Sequence, residues 1–228
     1  LTQNPLLKRL DCAFAQLTFL DIQNGNTTNV TIFNTLDNPN LNCVNVDDVT
    51  YSTANWTNIN GPTSFSTACG APIVYIPDAS FKGCLLSNTA INTNADNEIQ
   101  VTEALAFTGK VDCARMNIAD LTGIEAFLNV TKLVCNDNVI NSLDVTQNTS
   151  LIHLVCYKNN LSSLDVSQNT SLSWLHCVNN SIPSLDVSQN LDVAWLYCAN
   201  KPINSLDVTQ NTDLTKLYCS STQLSRLD

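Results

Sequence analysis

The sequence predicts a solenoid of stacked repeats in which each repeat contributes one short parallel β-strand. Five cysteines recur every 21 residues: Cys135, Cys156, Cys177, Cys198 and Cys219. Five leucines recur with the same spacing: Leu143, Leu164, Leu185, Leu206 and Leu227. A fixed period between about 20 and 50 residues is the signature of repeat architectures, because each repeat buries its apolar face against its neighbours. The C-terminal half of the chain is therefore expected to form a stack.

The repeat unit reads L-x-C-x-x-N-x-L-x-x-L-D-V-[ST]-Q-N, as in the segment from Leu154 to Asn169. This is the leucine-rich repeat pattern with Cys in place of one Leu. The L-D-V segment is short and ends in a β-branched residue, which favours a turn over a helix on the convex side. Residues 113–228 are thus expected to be a leucine-rich repeat solenoid of the α/β class, mostly parallel β with short turns.

On these residues the chain resembles bacterial secreted leucine-rich repeat proteins, close to the cysteine-bearing internalins. The resemblance covers most of the chain and is strongest from Cys135 to Asp228. It implies one parallel strand per repeat, a curved stack, and adhesion to a surface or binding of a partner. Lys201 and Thr222 depart from the pattern, because earlier repeats carry Asn at that position. The last two turns are expected to be looser.

Composition narrows the classes of function. The net charge is −10 and only ten residues are Lys or Arg, whereas nucleic-acid binding needs a basic surface. No apolar run approaches the roughly 20 residues that a membrane span requires. Only 13% of the residues are charged, and the abundant Asn, Thr, Ser and Gln suit an extracellular or cell-surface protein. We expect a monomer that binds neither nucleic acid nor membrane.

The N-terminal third repeats the motif once, from Leu10 to Ile22, and then loses the strict period. The segment from Asp47 to Trp56 is rich in strand formers and resembles the C-terminal cap of such arrays. A break at Gly70 to Pro72 follows. Residues 1–70 are interpreted as the end of a first array, residues 71–112 as a helical cap, and residues 113–228 as a second array. Because the chain starts and stops within repeats, we expect further repeats beyond both ends.

Residues 71–112 are expected to be a small helical N-terminal cap of the second array, and this cap contains a possible calcium loop of the EF-hand kind. A helix is expected after Pro77, with Phe81, Leu85 and Leu86 on one face. Oxygen ligands follow the EF-hand spacing: Asn92, Asn94, Asp96, the backbone carbonyl of Glu98, and Glu103. Two carboxylates imply weak affinity, on the order of 10⁻⁴ to 10⁻³ M, and a structural ion that fastens the cap. The alternative is a polar loop without metal, because Asn97 replaces the usual glycine.

The cysteines divide into a ladder and outliers. In-register parallel strands hold equivalent side chains about 4.8 Å apart and parallel, whereas a disulfide needs converging Cβ atoms about 3.8 Å apart. The ladder is therefore predicted to be buried thiols. Cys43 and Cys69 lie outside it and are the preferred disulfide, whereas Cys84 and Cys113 could be paired or reduced.

Strand alternation places the residues that flank each ladder cysteine on the concave face. In full, the outward set is Lys132, Val134, Asn136, His153, Val155, Tyr157, Trp174, His176, Val178, Trp195, Tyr197, Ala199, Lys216, Tyr218 and Ser220. Exposed aromatic clusters provide large contact area at low entropic cost. The predicted binding residues are therefore His153, Tyr157, Trp174, His176, Trp195, Tyr197, Lys216 and Tyr218.

Several functions fit this face. An extracellular protein is the partner that the resemblance implies, and a glycan is the alternative, because sugar rings stack on aromatic side chains. A third possibility is a spacer in a large surface protein, in which the aromatic pairs only stabilise the sheet. Catalysis is not expected, because the cysteines point inward and the histidines outward. Asp144, Asp165, Asp186 and Asp207 form a column that either bonds its own turns or makes a cation-binding edge.

Overall fold

The computed structural model describes residues 1–61, 63–67, 69–70, 72–200 and 202–228. They form two compact units, Leu1–Pro72 and Ile73–Asp228. Lys201 lies outside the described residues, so its predicted effect on the turn is not addressed. The interpretation of residues 1–70 as the end of one array stays a prediction. Within the described residues, no helix combines the length and apolar character that crossing a membrane needs.

The first unit consists of parallel strands on two small sheets. Its strands are β1 (Arg9–Asp11), β2 (Leu20–Asp21), β3 (Ile32–Asn34), β4 (Cys43–Asn45) and β5 (Ser64–Ser66). Strand β1 pairs with β3, and β4 lies between β2 and β5. Arg9 is in register with Ile32, and Leu20 with Val44. The strict 21-residue period is lost here, as predicted, because paired residues are 23, 24 or 21 positions apart, but the strand pairing remains parallel.

The segment from Asp47 to Trp56 is a helix, so its prediction as a strand was wrong. Helix α1 spans Val49–Asn55, and the Asp48 carboxylate accepts a hydrogen bond from Tyr51 N at 2.8 Å. The helix delivers Trp56 into the core, where its ring stacks on Phe33 with centroids 4.3 Å apart. An N-cap and the burial of a large aromatic ring outweigh the modest strand preference of Val, Thr and Tyr.

Two helices begin the second unit and flank the loop with EF-hand spacing. Helix α2 spans Ala79–Leu86 and helix α3 spans Val101–Ala106. Asp78 caps α2 by accepting hydrogen bonds from the backbone N–H groups of Ser80 and Phe81. Phe81 and Leu85 are buried, as predicted, and Leu86 packs against the same core. The second Asp78 oxygen accepts from Ala119 N at 2.9 Å, which ties the helix start to the repeats that follow.

The array itself is a six-stranded parallel sheet. The remaining strands are β6 (Lys110–Asp112), β7 (Lys132–Val134), β8 (His153–Val155), β9 (Trp174–His176), β10 (Trp195–Tyr197), β11 (Ser205–Leu206), β12 (Lys216–Tyr218) and β13 (Arg226–Leu227). The large sheet has the order β12-β10-β9-β8-β7-β6, and β11 pairs separately with β13. From β7 onward the large sheet's strands are joined by turns and, between β10 and β12, by the short strand β11. The predicted solenoid with one parallel strand per repeat is confirmed.

Asparagine side chains link neighbouring repeats by donating hydrogen bonds to the backbone carbonyls of the ladder cysteines. Asn159 Nδ2 donates to Cys135 O at 3.0 Å and to Cys156 O at 3.1 Å, so one amide links two repeats. Asn180 bonds its two repeats in the same way. Thr222 occupies this place in the last repeat, and its hydroxyl donates to Cys219 O at 2.8 Å within its own turn. Its shorter side chain explains why that turn is held by fewer bonds between repeats.

The ladder cysteines are core residues and the outlying cysteines form disulfides. Cys135, Cys156, Cys177 and Cys198 have 0% of their surface exposed, whereas Cys219 is half-buried. Burial alone raises the pKa of the Cys135 thiol to about 12. The Cys43–Cys69 disulfide is confirmed, with Cα atoms 5.6 Å apart. Cys84 and Cys113 are also bonded, with Cα atoms 5.8 Å apart, which resolves the alternative that the spacing left open.

Candidate functional site

The candidate site is one face of the six-stranded sheet, here called the aromatic face. It comprises the eight predicted binding residues together with Lys132: Lys132, His153, Tyr157, Trp174, His176, Trp195, Tyr197, Lys216 and Tyr218. Alternation along each three-residue strand points its first and third side chains to this face and its middle leucine into the core. Because the strands are parallel and in register, the outward side chains line up in two columns.

The first column runs from Lys132 through His153, Trp174 and Trp195 to Lys216. Trp174 and Trp195 pack edge to face, with ring centroids 5.0 Å apart and planes inclined by 68°. His153 packs edge-on against Trp174 at 5.6 Å. The tryptophans therefore pack into each other and do not lie side by side as one flat platform.

The second column is a stack of rings. Tyr157 lies two residues beyond the end of β8, and its ring stacks on His176 with centroids 4.4 Å apart. His176 in turn lies 5.0 Å from Tyr197. Tyr197 and Tyr218 stack with nearly parallel rings, their planes inclined by 6° and their centroids 4.6 Å apart. This spacing is close to the roughly 4.8 Å between paired strands. The rings thus follow the sheet one repeat at a time, and Tyr218 at the end is 52% exposed.

A lysine lies on each side of the tryptophan pair in the first column. Lys216 Nζ lies 4.0 Å from the centroid of the Trp195 ring. Lys132 on β7 extends across the intervening strand β8, so that its Nζ lies 5.5 Å from the centroid of the Trp174 ring on β9. Lys132 was in the predicted outward set but not among the predicted binding residues, although it stands 42 positions, two full periods, before Trp174. That shared phase was the sequence signal for its role.

Part of the predicted outward set is covered. Asn136, Val155 and Ala199 are only 5%, 8% and 7% exposed, respectively. A small or medium side chain on the outer face is buried when larger neighbours lean over it, so an outward direction does not ensure exposure. Val134 and Val178 are half-buried and Ser220 is exposed. The accessible surface is consequently made of the large aromatic and basic side chains.

The face is basic and partly shielded from water. Among the outward positions of β7 to β10 and β12 there are two lysines, two histidines and no Asp or Glu. Partial burial and the Lys132 charge lower the pKa of His153 below its ordinary value, because both disfavour the protonated ring. Trp174 Nε1 is buried, and no acceptor for it is found among the described residues.

The aspartate column is held by its own turns. The Asp144 carboxylate accepts hydrogen bonds from Thr146 N at 2.9 Å and from the Thr146 hydroxyl at 2.7 Å. Asp165, Asp186 and Asp207 accept from the backbone two residues later in the same way. These bonds lower the pKa of Asp144, and the hydrogen bond from the Thr146 hydroxyl is the main cause. The interpretation of this column as turn-stabilising is confirmed.

The loop between α2 and α3 brings its predicted ligands together through hydrogen bonds. Glu103 Oε1 accepts from Thr93 N at 2.7 Å and from Asn94 N, and Oε2 accepts from Gln100 N. Asp96 Oδ2 accepts from the side-chain amides of Asn94 and Gln100.

The remaining oxygens of this loop differ in their partners. Asn92 Oδ1 is buried without a hydrogen-bond donor among the described residues, and the Glu98 carboxylate pairs with Lys82 at 2.7 Å. Across the described ranges, no three His, Cys, Asp or Glu side chains are grouped to hold a metal ion. Any calcium site here depends on amide and backbone oxygens.

The two residue types needed for a Cys/His nucleophile lie on opposite sides of each strand. Cys156 is buried beneath the sheet, whereas His153 and His176 are half-exposed on the aromatic face. A three-residue strand alternates its side chains, so these groups point away from each other. The geometry offers contact area and charge for recognition.

Three relatives place this geometry among known proteins. Over 67 residues, 27% of this chain and 7% of the relative, the sequence is 43% identical to Internalin J of Listeria monocytogenes serotype 4b (strain F2365). The solved functional domain of InlJ from Listeria monocytogenes, which includes a cysteine ladder, superposes with a TM-score of 0.62. That match is 38% identical and covers 67% of this chain and 33% of the other.

A third match shows the fold alone. The structure of an internalin, inlF, from Listeria monocytogenes strain 4b F2365 covers 99% of this chain and 81% of its own, with a TM-score of 0.51 and 14% identity. No protein-family model matches the chain. The chain spans only a small part of Internalin J and about a third of the InlJ domain.

Proposed function

Because the chain is an internalin-like leucine-rich repeat protein with 21-residue, cysteine-bearing repeats, we propose that it is a non-catalytic binding module. It acts outside the cell or on the cell surface, as a monomer, and its partner docks on the aromatic face. The partner is an extracellular protein. Adhesion through the same face belongs to this proposal.

One observation carries the proposal: the aromatic face is a continuous ladder of half-exposed rings. From Tyr157 to Tyr218 each ring contacts the next at 4.4 to 5.0 Å between centroids. Packing of this kind fixes the side chains before a partner arrives, so little side-chain entropy is lost on binding. Aromatic residues on a rigid support are the usual centres of binding energy in protein interfaces.

The orientation of the tryptophans favours a protein over a glycan. A sugar ring stacks on an open aromatic face, whereas Trp174 and Trp195 turn an edge into each other at 68°. The crevices between such rings suit side chains of a protein. The strongest argument for a glycan is Tyr218, which is 52% exposed at the end of its stack.

A spacer role is the second candidate, because ring-to-ring packing also stabilises a sheet. The two functions differ in what the face does when its rings are removed. A spacer loses stability only, whereas a binding face also loses its partner. The ten outward positions of β7 to β10 and β12 include no acidic side chain, in a chain of net charge −10, and this uneven distribution favours recognition.

A glycan array beside a pull-down of surface proteins tests the proposal with the wild type and the Trp174→Ala/Trp195→Ala variant. Retention of a surface protein by the wild type, and its loss in a folded double variant, is the expected result. A matched control is Asp165→Ala, which alters a turn away from the face. Binding of a glycan alone supports a glycan as the partner. Absence of binding in both assays by a folded protein supports the spacer role.

We also propose one structural calcium ion in the loop from Asn92 to Glu103. Its ligands would be Asn92, Asn94, Asp96, the Glu98 carbonyl and Glu103. The buried Asn92 Oδ1 without a donor supports this proposal, because a cation would satisfy that oxygen. Binding requires the amide donors of Asn94 and Gln100 to release Asp96 Oδ2, so weak affinity is expected.

A further inference from the structure

Lysines on and beside the aromatic face fall into two kinds. Lys110 Nζ lies 2.8 Å from Asp112, and Lys158 Nζ lies 3.2 Å from Asp137, so both charges are neutralised locally. Lys132 and Lys216 have no carboxylate within ion-pair distance among the described residues. Their ammonium groups lie instead over the Trp174 and Trp195 rings, at 5.5 and 4.0 Å.

Charge is therefore segregated in the second unit. The chain holds 20 acidic and ten basic residues, yet none of the ten outward positions on β7 to β10 and β12 is acidic. The carboxylates beside these strands are paired: Asp112 with Lys110, and Asp137 with Arg115 and Lys158. A positive, partly apolar face on an acidic protein concentrates its attraction on partners of opposite charge.

The position of the two ammonium groups makes this attraction specific. Each lysine lies against an aromatic ring, which holds a cation by its quadrupole while leaving the remaining N–H donors free. Lys132 and Lys216 lie on either side of the tryptophan pair in one column. A matching ligand places apolar side chains on the rings and carboxylates at both ends.

We propose that the partner segment bound by the aromatic face is an acidic stretch of protein in which aromatic or aliphatic residues are flanked by Asp or Glu. This rests on the proposed function of the face and specifies the chemistry of its partner. The edge-to-face packing of Trp174 and Trp195 favours a polypeptide over an acidic polysaccharide, because the two tryptophan rings do not form one flat surface on which sugars could stack.

Binding of defined polymers tests the proposal. The probes are a poly(Glu,Tyr) copolymer, a poly(Lys,Tyr) copolymer and polygalacturonate, each titrated against the full chain at low and high salt. Poly(Glu,Tyr) is expected to bind most tightly and to weaken with salt. Lys132→Gln/Lys216→Gln is expected to weaken this binding by about tenfold, and Lys132→Arg/Lys216→Arg to preserve it.

Lys110→Gln is the matched control. Lys110 lies beside Lys132 in the same column, but Asp112 already neutralises it, so its loss is expected to change binding less than about twofold. Absence of poly(Glu,Tyr) binding, equal binding of poly(Lys,Tyr) or polygalacturonate, or an unchanged Lys132/Lys216 double glutamine variant overturns the proposal.

The two proposals fail differently. If the Trp174→Ala/Trp195→Ala variant loses a retained surface protein while the double glutamine variant keeps it, the aromatic face binds but acidic recognition is wrong. If neither variant changes retention of that protein, the proposed function itself is wrong.

Discussion

Trp174 and Trp195 lie in register on adjacent parallel strands and pack edge to face, with ring centroids 5.0 Å apart. Each ring also lies beneath a lysine. The pair thus contributes to the sheet and presents part of its surface to a partner, so its effects on stability and on binding must be separated.

Trp174→Ala and Trp174→Phe measure what Trp174 contributes to stability. The alanine variant removes contacts to Trp195, His153 and Lys132 and is expected to lower the free energy of unfolding by about 2 kcal/mol, less than for a fully buried ring. The phenylalanine variant keeps a ring and removes the buried Nε1–H that finds no acceptor among the described residues, so its stability should stay within about 0.5 kcal/mol of wild type. Urea unfolding measures both, and equal losses would contradict the assignment.

Thiol labelling tests the cysteine ladder. The buried thiols of Cys135, Cys156, Cys177 and Cys198 should resist a thiol reagent in the native protein, because burial raises the pKa of Cys135 to about 12 and thiolate is the reactive form. Cys12 and Cys219 are half-buried and should react first. Labelling in denaturant gives the full count, and modification of three or more thiols in the folded state would contradict the burial of these four.

The Cys84–Cys113 disulfide is expected to stabilise the start of the second unit. Its partners are 29 residues apart in sequence and join α2 to the residue after β6. The Cys84→Ala/Cys113→Ala variant should lose about 2 to 4 kcal/mol in urea unfolding under oxidising conditions. A reducing agent also cleaves the Cys43–Cys69 bond, so it should destabilise both proteins while removing most of the difference between wild type and variant. Equal stability of wild type and variant without reductant would show that the bond contributes little.

Calcium should raise the Tm at millimolar concentration, because a ligand that binds only the native state stabilises it by linkage. Glu103→Gln keeps one of the two acceptor oxygens that Thr93 N and Gln100 N use but removes the carboxylate, and is expected to abolish the rise. Glu125→Gln, outside the loop, is the control. If titration calorimetry detects no heat of binding at millimolar calcium and EDTA does not change the Tm, the loop is a hydrogen-bonded turn without a calcium ion.

Acidification should weaken the fold partly through His153. Burial, followed by the charge of Lys132, lowers the pKa of this histidine in the folded state below 6.5. The unfolded chain therefore takes up the proton first as pH falls below about 6.5, and the contribution of neutral His153 is lost as pH passes through its folded pKa. Lys132 and the Trp174 ring are the groups that face it.

The change in Tm between about pH 7.5 and pH 5.5 measures this contribution. His153→Gln should show a smaller decrease than wild type, because its side chain does not titrate. An equal decrease in both proteins would assign the pH dependence to other groups.

The sequence by itself determined the stack, its register and a ladder of five inward cysteines, of which four are buried and Cys219 is half-buried. A period of 21 places equivalent residues opposite each other on parallel strands, so Leu154 and Leu175 pair and Cys156 and Cys177 share the core. It also predicted the Cys43–Cys69 bond, because those residues lie outside the ladder. The physical reason is that strand alternation and repeat period are properties of the chain alone.

Only the tertiary structure decided how side chains meet. The helix Val49–Asn55 forms because Asp48 caps it and Trp56 is buried against Phe33, contacts that local propensity does not contain. The inclination of Trp174 to Trp195, the extension of Lys132 across strand β8 and the burial of Val155 depend on rotamers chosen by neighbouring repeats. Rotamers respond to packing from residues distant in sequence, so the periodic pattern identifies the face while the packed structure determines its shape and charge.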